Sequence, residues 1–228
     1  MQRVANFMAT PTIEKPSVVA YQELATLIEP NDRLKPAQVL RKIEHLRRLW
    51  SIDADAYQEC SISFGCFRRW WQRYPLGNTV IMTEKDEIVA SIGIWAIAPD
   101  QFSAFTAGQI REQELLPVTL SQCQKRPQNS WYVSGVVLAK DYRGRIKRNP
   151  LLQLLRAALG DWIGSDHVAF PLQVVALGEY EEGDNLLQRF GFSKVADRDQ
   201  MPDSCHLYSL VLESEEHAES ILKSRNLW

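Results

Sequence analysis

Long apolar runs are missing from this 228-residue chain. The longest, Ile88 to Ala98, is interrupted by Ser91 and falls well short of the roughly 18 residues that cross a bilayer, so no membrane partner is expected. Charge of one sign is missing too. Twenty-six Lys and Arg stand against 28 Asp and Glu, which leaves no global field to attract nucleic acid or lipid. The four cysteines, Cys60, Cys66, Cys123 and Cys205, have neither CxxC spacing nor a His pattern suited to zinc. No metal site is expected, and the cysteines read as free thiols of a reducing compartment. The opening MQRVANFMATPTIEKP has no apolar core behind Arg3, so no secretory signal is expected and a cytoplasmic location is the default. What is present is ordinary for a folded chain: 45% apolar and 24% charged residues, which excludes fibrous and disordered classes.

The organisation reads as one domain over 1–228. Residues 1–78 form an N-terminal extension and two helices. Ser17 to Leu27 reads as either strand or helix, and Pro30, Asn31 and Asp32 break it. From Pro36 to Trp50, Val39, Leu40, Ile43, Leu46 and Leu49 recur at helical spacing, and a second helix is expected from about Asp53 to Tyr74. Residues 79–98 read as an antiparallel hairpin whose second, more apolar strand is central. Residues 99–129 form a long loop with one short helix. Residues 130–212 hold a strand (Trp131 to Leu138), a helix with Asn149 as N-cap and Pro150 at its first position, and a strand buried on both faces (LQVVAL). A helix ending at Gly191 and two last strands follow, and 213–228 is a C-terminal tail.

Two segments carry chemistry. The first is the basic loop KDYRGRIKR, where Lys140, Arg143, Arg145, Lys147 and Arg148 gather at a helix N-terminus beside a single Asp141. Unpartnered backbone N–H groups at such an end carry about half a unit of positive charge, which suits a phosphate. The second is Leu186, Leu187, Gln188, Arg189, Phe190, Gly191, Phe192, preceded by Glu182 and Gly183. In this order the two resemble the GNAT superfamily of acyl-CoA-dependent N-acyltransferases. That superfamily's first motif is an R-G-x-G-x-G/A loop and its second a helix ending in a basic residue, an apolar residue, Gly and Phe. The resemblance implies an α/β (mixed α+β) fold: a central mixed, mostly antiparallel sheet with a splayed parallel strand pair and helices on both faces.

It also implies acetyl-CoA or another acyl-CoA as donor, held by Leu138, Lys140, Arg143, Gly144, Arg145, Ile146, Lys147 and Arg148. The Leu138 backbone amide would stabilise the oxyanion. The chain departs from the family at two of the loop's glycines, replaced by Ile146 and Arg148, and at Leu187, where many members carry a general-acid Tyr. Tyr180 and Tyr208 are the candidate substitutes, against a reading of each as a core or rim aromatic. The strand before the loop carries no carboxylate. Ser134 and Tyr132 share one of its faces and could hold a water, and Glu112 and Glu114 in REQELLP are the nearest candidate bases. Gly135 marks either a bulge that splays this strand or small packing. Trp71, Phe102 and Phe105 are candidate linings for an apolar acceptor, against a reading of core packing. Cys205 and His206, adjacent on a strand, point to opposite faces and form no dyad.

The expected function is transfer of an acyl group from acyl-CoA to a primary amine, on a small molecule or a peptide, by direct attack. The alternatives are an acyltransferase taking its acyl group from acyl carrier protein, and a catalytically silent GNAT-fold binding or regulatory module.

Overall fold

The computed structural model describes residues 17–19, 36–58, 62–82, 88–143 and 150–224. Among the described residues seven strands form one sheet: β1 (Ser17–Val19), β2 (Asn78–Met82), β3 (Ile88–Ala96), β4 (Gln128–Leu138), β5 (Val168–Gly178), β6 (Ser193–Ala196) and β7 (His206–Leu212). Their spatial order is β1-β2-β3-β4-β5-β7-β6. Every neighbouring pair is antiparallel except β4 and β5, which are parallel. A parallel pair needs a crossover, and α5 (Pro150–Ile163) supplies it.

The expected hairpin is β2 and β3, and β3 is central, with all nine residues buried. Its apolar run is continuous because helices cover both faces of the sheet. Side chains alternate along β4 accordingly. Trp131 packs edge-on against Trp162 of α5 on one face. On the other, Tyr132 meets Trp70 of α2 (Phe64–Arg73) and Phe105 of α3 (Pro99–Thr106).

Several boundaries differ from the expected ones. The first helix, α1 (Pro36–Tyr57), runs past Trp50, and the second starts only at Phe64. Ser63 caps that start, its side chain accepting from the Cys66 N–H at 3.2 Å, so the break lies at Ser63 and not near Asp53. The 99–129 connection holds two helices, α3 and α4 (Leu120–Lys125), with a 3₁₀ turn at Glu112–Glu114 between them. The expected tail contains α7 (Glu215–Ser224), which buries Ala218 and packs on α5 and β7. The helix before Gly191 is α6 (Glu181–Arg189). Gly191, at φ +88°, closes it as a Schellman motif: its N–H bonds to Gln188 O, and that of Phe192 to Leu187 O. Asn149 lies outside the described residues, as does the expected break at Pro30 to Asp32.

The parallel pair opens partway along. β4 and β5 are in register up to Val133 opposite Ala176. Beyond that point β4 stays with β3, as far as Leu138 opposite Ala90, while β5 stays with β7, as far as Gly178 opposite His206. The cause is a bulge in β4. Between the pairs Ser134–Gly93 and Val137–Ser91, two residues of β4 face one of β3, and Gly135 there takes φ +51°. A left-handed residue inside a strand is a glycine position, and the bend it imposes turns β4 away from β5.

Candidate active site

A cavity of about 280 Å³ fills the fork between the two strands. Four carboxylates from four separate segments line it: Asp53 of α1, Glu112 of the 3₁₀ turn, Glu179 just after β5, and Asp203 before β7. Tyr57, Tyr132, Ser134 and Cys205 complete the wall, and Arg111 is its one cationic residue among those described.

Glu112 is delivered by α2. Cys66, Trp70 and Arg73 lie on one face of that helix, at i, i+4 and i+7. They donate to alternate carbonyls of the following loop: Cys66 Sγ to Gln113 O at 3.3 Å, Trp70 Nε1 to Leu115 O at 2.7 Å, and Arg73 Nε to Pro117 O at 2.6 Å. The pinned loop presents Glu112 inward, where Tyr132 Oη donates to its Oε1 at 2.7 Å. The Glu112 N–H donates to Asp203 Oδ2 at 2.8 Å.

Burial raises the Glu112 carboxyl to about 8, against the Tyr132 hydrogen bond that lowers it, with further upward pushes from Asp53, Asp203 and Glu179. Asp53 is raised to about 7 by burial and then by the charge of Glu179. Asp203 is also raised, first by burial. The Tyr132 and Tyr57 phenols move up for the same leading reason, so both remain proton donors.

The other wall of the fork is the freed edge of β4. The Ala139 N–H bonds to Val89 O, so ladder alternation turns the N–H and C=O of Leu138 the opposite way, toward the fork. Arg143 Nε donates to Leu138 O at 2.9 Å, and Tyr57 Oη donates to Val136 O at 3.4 Å. Lys140 lies exposed in the 3₁₀ turn Lys140–Tyr142 that follows the strand. Gly144, Arg145, Ile146, Lys147 and Arg148 lie outside the described residues.

Of the residues singled out in the sequence, the structure brings Glu112, Ser134 and Tyr132 together around the cavity. Ser134 Oγ is occupied as the acceptor of Trp95 Nε1 at 2.8 Å. Other candidates lie elsewhere. Tyr180 follows Glu179 but is 44% exposed at the start of α6 and is not on the cavity wall. Tyr208 is buried away from the cavity, within 3.3 Å of Gln188 Nε2. Trp71, Phe102 and Phe105 belong to the buried core, as the core-packing reading has them, beneath the loop that Trp70 of α2 pins through Leu115 O. Glu114 is exposed and caps its own turn, accepting from the Arg111 N–H. Leu187 is buried among the apolar side chains between α6 and the sheet. His206 Nδ1 is 2.8 Å from Asp184 Oδ2, while Cys205 lines the cavity.

Sequence reasoning missed Asp53, Tyr57, Glu179 and Asp203. A usable signal existed for the first two, which stand at i, i+4 on one face of α1. Glu179 and Asp203 come from segments whose meeting depends on the sheet topology.

No protein-family model matches this chain, and no curated protein matches it in sequence. Solved structures do match. The loading GNATL domain of CurA from Lyngbya majuscula is 18% identical, with 77% of this chain and 95% of that chain covered, at a TM-score of 0.54. The GphF GNAT-like decarboxylase in complex with isobutyryl-CoA is 16% identical, over 74% of this chain and 95% of that one, at 0.47. FeeM, an N-acyl amino acid synthase from uncultured soil microbes, is 11% identical, over 78% and 93%, at 0.47. The likeness to the CurA domain, with the single parallel pair that forks at a bulge, shows that this chain has the GNAT fold.

Proposed function

We propose that this chain is an acyltransferase that moves an acyl group from a thioester, acyl-CoA in the first instance, to a primary amine by direct attack in the fork. The observation that carries the reading is Glu112, held by Tyr132 Oη at 2.7 Å on the wall of the fork and raised to about 8. A primary ammonium has an ordinary pKa near 10.4 and must lose a proton before its nitrogen can attack. A carboxylate whose affinity for protons lies close to the working pH is suited to take it. Its ordinary value near 4.5 would make it a poor base for this task.

The proton balance is simple. The ammonium gives one proton to Glu112, the amine nitrogen bonds to the acyl carbon, the carbon–sulfur bond breaks, and the second proton that the nitrogen sheds on becoming an amide goes to the departing thiolate. A bound donor would supply the activated carbonyl. The freed backbone edge at Leu138, with the guanidinium of Arg143 beside it, fits the thioester arm. The Leu138 N–H is the oxyanion donor of the proposal.

Two readouts test it: calorimetry with acetyl-CoA and longer acyl-CoAs, and mass detection of acylated amines with either acyl-CoA or acyl carrier protein as donor. Binding that weakens about tenfold or more in Arg143→Ala, together with transfer that collapses in Glu112→Gln, is the expected result. Lack of donor binding up to millimolar concentration, with either carrier, overturns it.

A further inference from the structure

Resting on that acyltransferase reading, we propose that the acceptor is a diamine or longer polyamine, whose reacting nitrogen lies at Glu112 while a second ammonium is held by Asp53 and Glu179. The cavity presents four carboxylates against one guanidinium. Arg111 favours the ionised form of Asp203, and among the described residues no ion pair engages the carboxylates of Asp53, Glu112 or Glu179, since Arg198 donates to the Glu179 backbone carbonyl.

Asp53 makes the case specific. It is partly buried on the cavity wall, withdrawn from water enough to raise its carboxyl, and no hydrogen-bond donor reaches it among the described residues. Its Oδ1 sits against Gly135, in the volume that a Cβ at that position would fill. A buried carboxylate without a donor is costly when charged, and an incoming ammonium removes that cost. Tyr57, one turn further along α1, does not meet this need, since its hydroxyl donates to Val136 O.

The spacing of the charges chooses between cations. Among the described residues, no three His, Cys, Asp or Glu groups converge as the ligands of a metal ion would. The carboxylates are instead distributed along the wall, on four segments, which matches a ligand whose positive charges are separated along a chain. At about 280 Å³ the cavity stands at the small end of ligand pockets, ~300–1,000 Å³, and suits a short aliphatic amine. A monoamine would satisfy Glu112 and leave Asp53 unpaired. An amino acid would place its carboxylate against Asp53 and Glu179, and like-charge contact opposes that.

The experiment uses the full chain with acetyl-CoA and three acceptors of equal length: 1,4-diaminobutane, 1-aminobutane and 4-aminobutanoate. We expect kcat/KM for the diamine to exceed that for the monoamine by about 10- to 100-fold, chiefly through KM, with 4-aminobutanoate poorest. In Asp53→Asn the ratio of diamine to monoamine should fall toward one. A second measurement, calorimetry of diamine binding without donor in phosphate and in Tris, should show proton release near pH 7, because Asp53 must ionise to pair with the ammonium. Transfer with no preference between the amines overturns the polyamine assignment and keeps the acyltransferase reading. Diamine binding with proton release but no transfer to any amine keeps the cation site and overturns that reading. Neither binding nor transfer overturns both.

Discussion

The carboxylate of Asp53 occupies the space that a side chain on Gly135 would need: a Cβ built there meets Asp53 Oδ1 at less than contact distance. One glycine therefore serves two ends. Its φ of +51° bends β4 out of register with β5, and its bare Cα admits an acid from α1 into the fork that the bend creates. Gly135→Ala should therefore be costly on two counts. The left-handed conformation costs a side chain ~1–2 kcal/mol, and the clash with Asp53 adds to it. Urea denaturation should show Gly135→Ala destabilised by more than that conformational amount. Asp53→Ala introduced alongside should recover part of the loss, a coupling of ~0.5–3 kcal/mol. Strict additivity of the two changes would mean that the carboxylate does not lie against residue 135.

The Tyr132–Glu112 hydrogen bond sets the sign of a pH effect. The phenol stabilises the ionised carboxylate, so it holds Glu112 below the value that burial alone would impose. In the wild type the rate of acyl transfer should rise with pH, reach half its plateau near 8, where Glu112 ionises, and level off above that. Tyr132→Phe should shift that rising limb to higher pH while leaving a measurable plateau. Glu112→Gln should abolish the limb and lower kcat about 10²- to 10⁴-fold. A Tyr132→Phe profile displaced toward acid would contradict the geometry.

How much of this was legible beforehand follows from which interactions are local. The hairpin, the central position of β3, the helix after the basic loop and the Gly191 stop are written in apolar periodicity and in single capping residues, and the structure has them where the pattern places them. The Ser63 cap was missed because it sits in SISFG, where polar and apolar residues alternate as in a strand. Glu112 could be named because few acids stand in the long connection, and Gly135 because glycine inside a strand demands a reason. Glu179 and Asp203 could not, since each is an ordinary acid in its own neighbourhood. Only the forked topology makes them neighbours of Glu112. The aromatic helix reads as core packing, with Trp71 also a candidate lining, and its aromatics are core; what the pattern did not show is that Trp70 spends its one polar atom on Leu115 O and holds the loop closed.

That bond yields a prediction of its own. Trp70→Phe keeps most of the apolar volume and removes the Nε1–H that pins Leu115, leaving a buried carbonyl unsatisfied. The loss in stability should be ~1–3 kcal/mol. The loss in acyl transfer should exceed what that unfolding explains, because Glu112 lies three residues from the released carbonyl. Hydrogen exchange should localise the loosening to residues 111–117. Faster exchange spread evenly over α2 and β4 would instead make Trp70 a general core residue.

The buried acids also fix how folding depends on pH. Asp53 goes from 3.8 to about 7, and Glu112 from 4.5 to about 8, on entering the fold. The folded protein therefore keeps both protons over a range in which the unfolded chain has lost them. Stability changes with pH as the protons bound by the unfolded state minus those bound by the folded state, and here that difference is negative from about pH 4 to pH 8. The contribution is fully present below about pH 4 and is lost as pH rises through about 7 and then 8. Asp203, raised in the same direction, adds to the trend. Between pH 5 and 8.5 the unliganded protein should lose stability by several kcal/mol, with a fall in melting temperature of about 10 °C or more for a chain of this size. The double variant Asp53→Asn, Glu112→Gln carries neutral amides where the protons were held, so its melting temperature should vary much less over the same range. A slope equal to that of the wild type would place the titrating groups outside the fork.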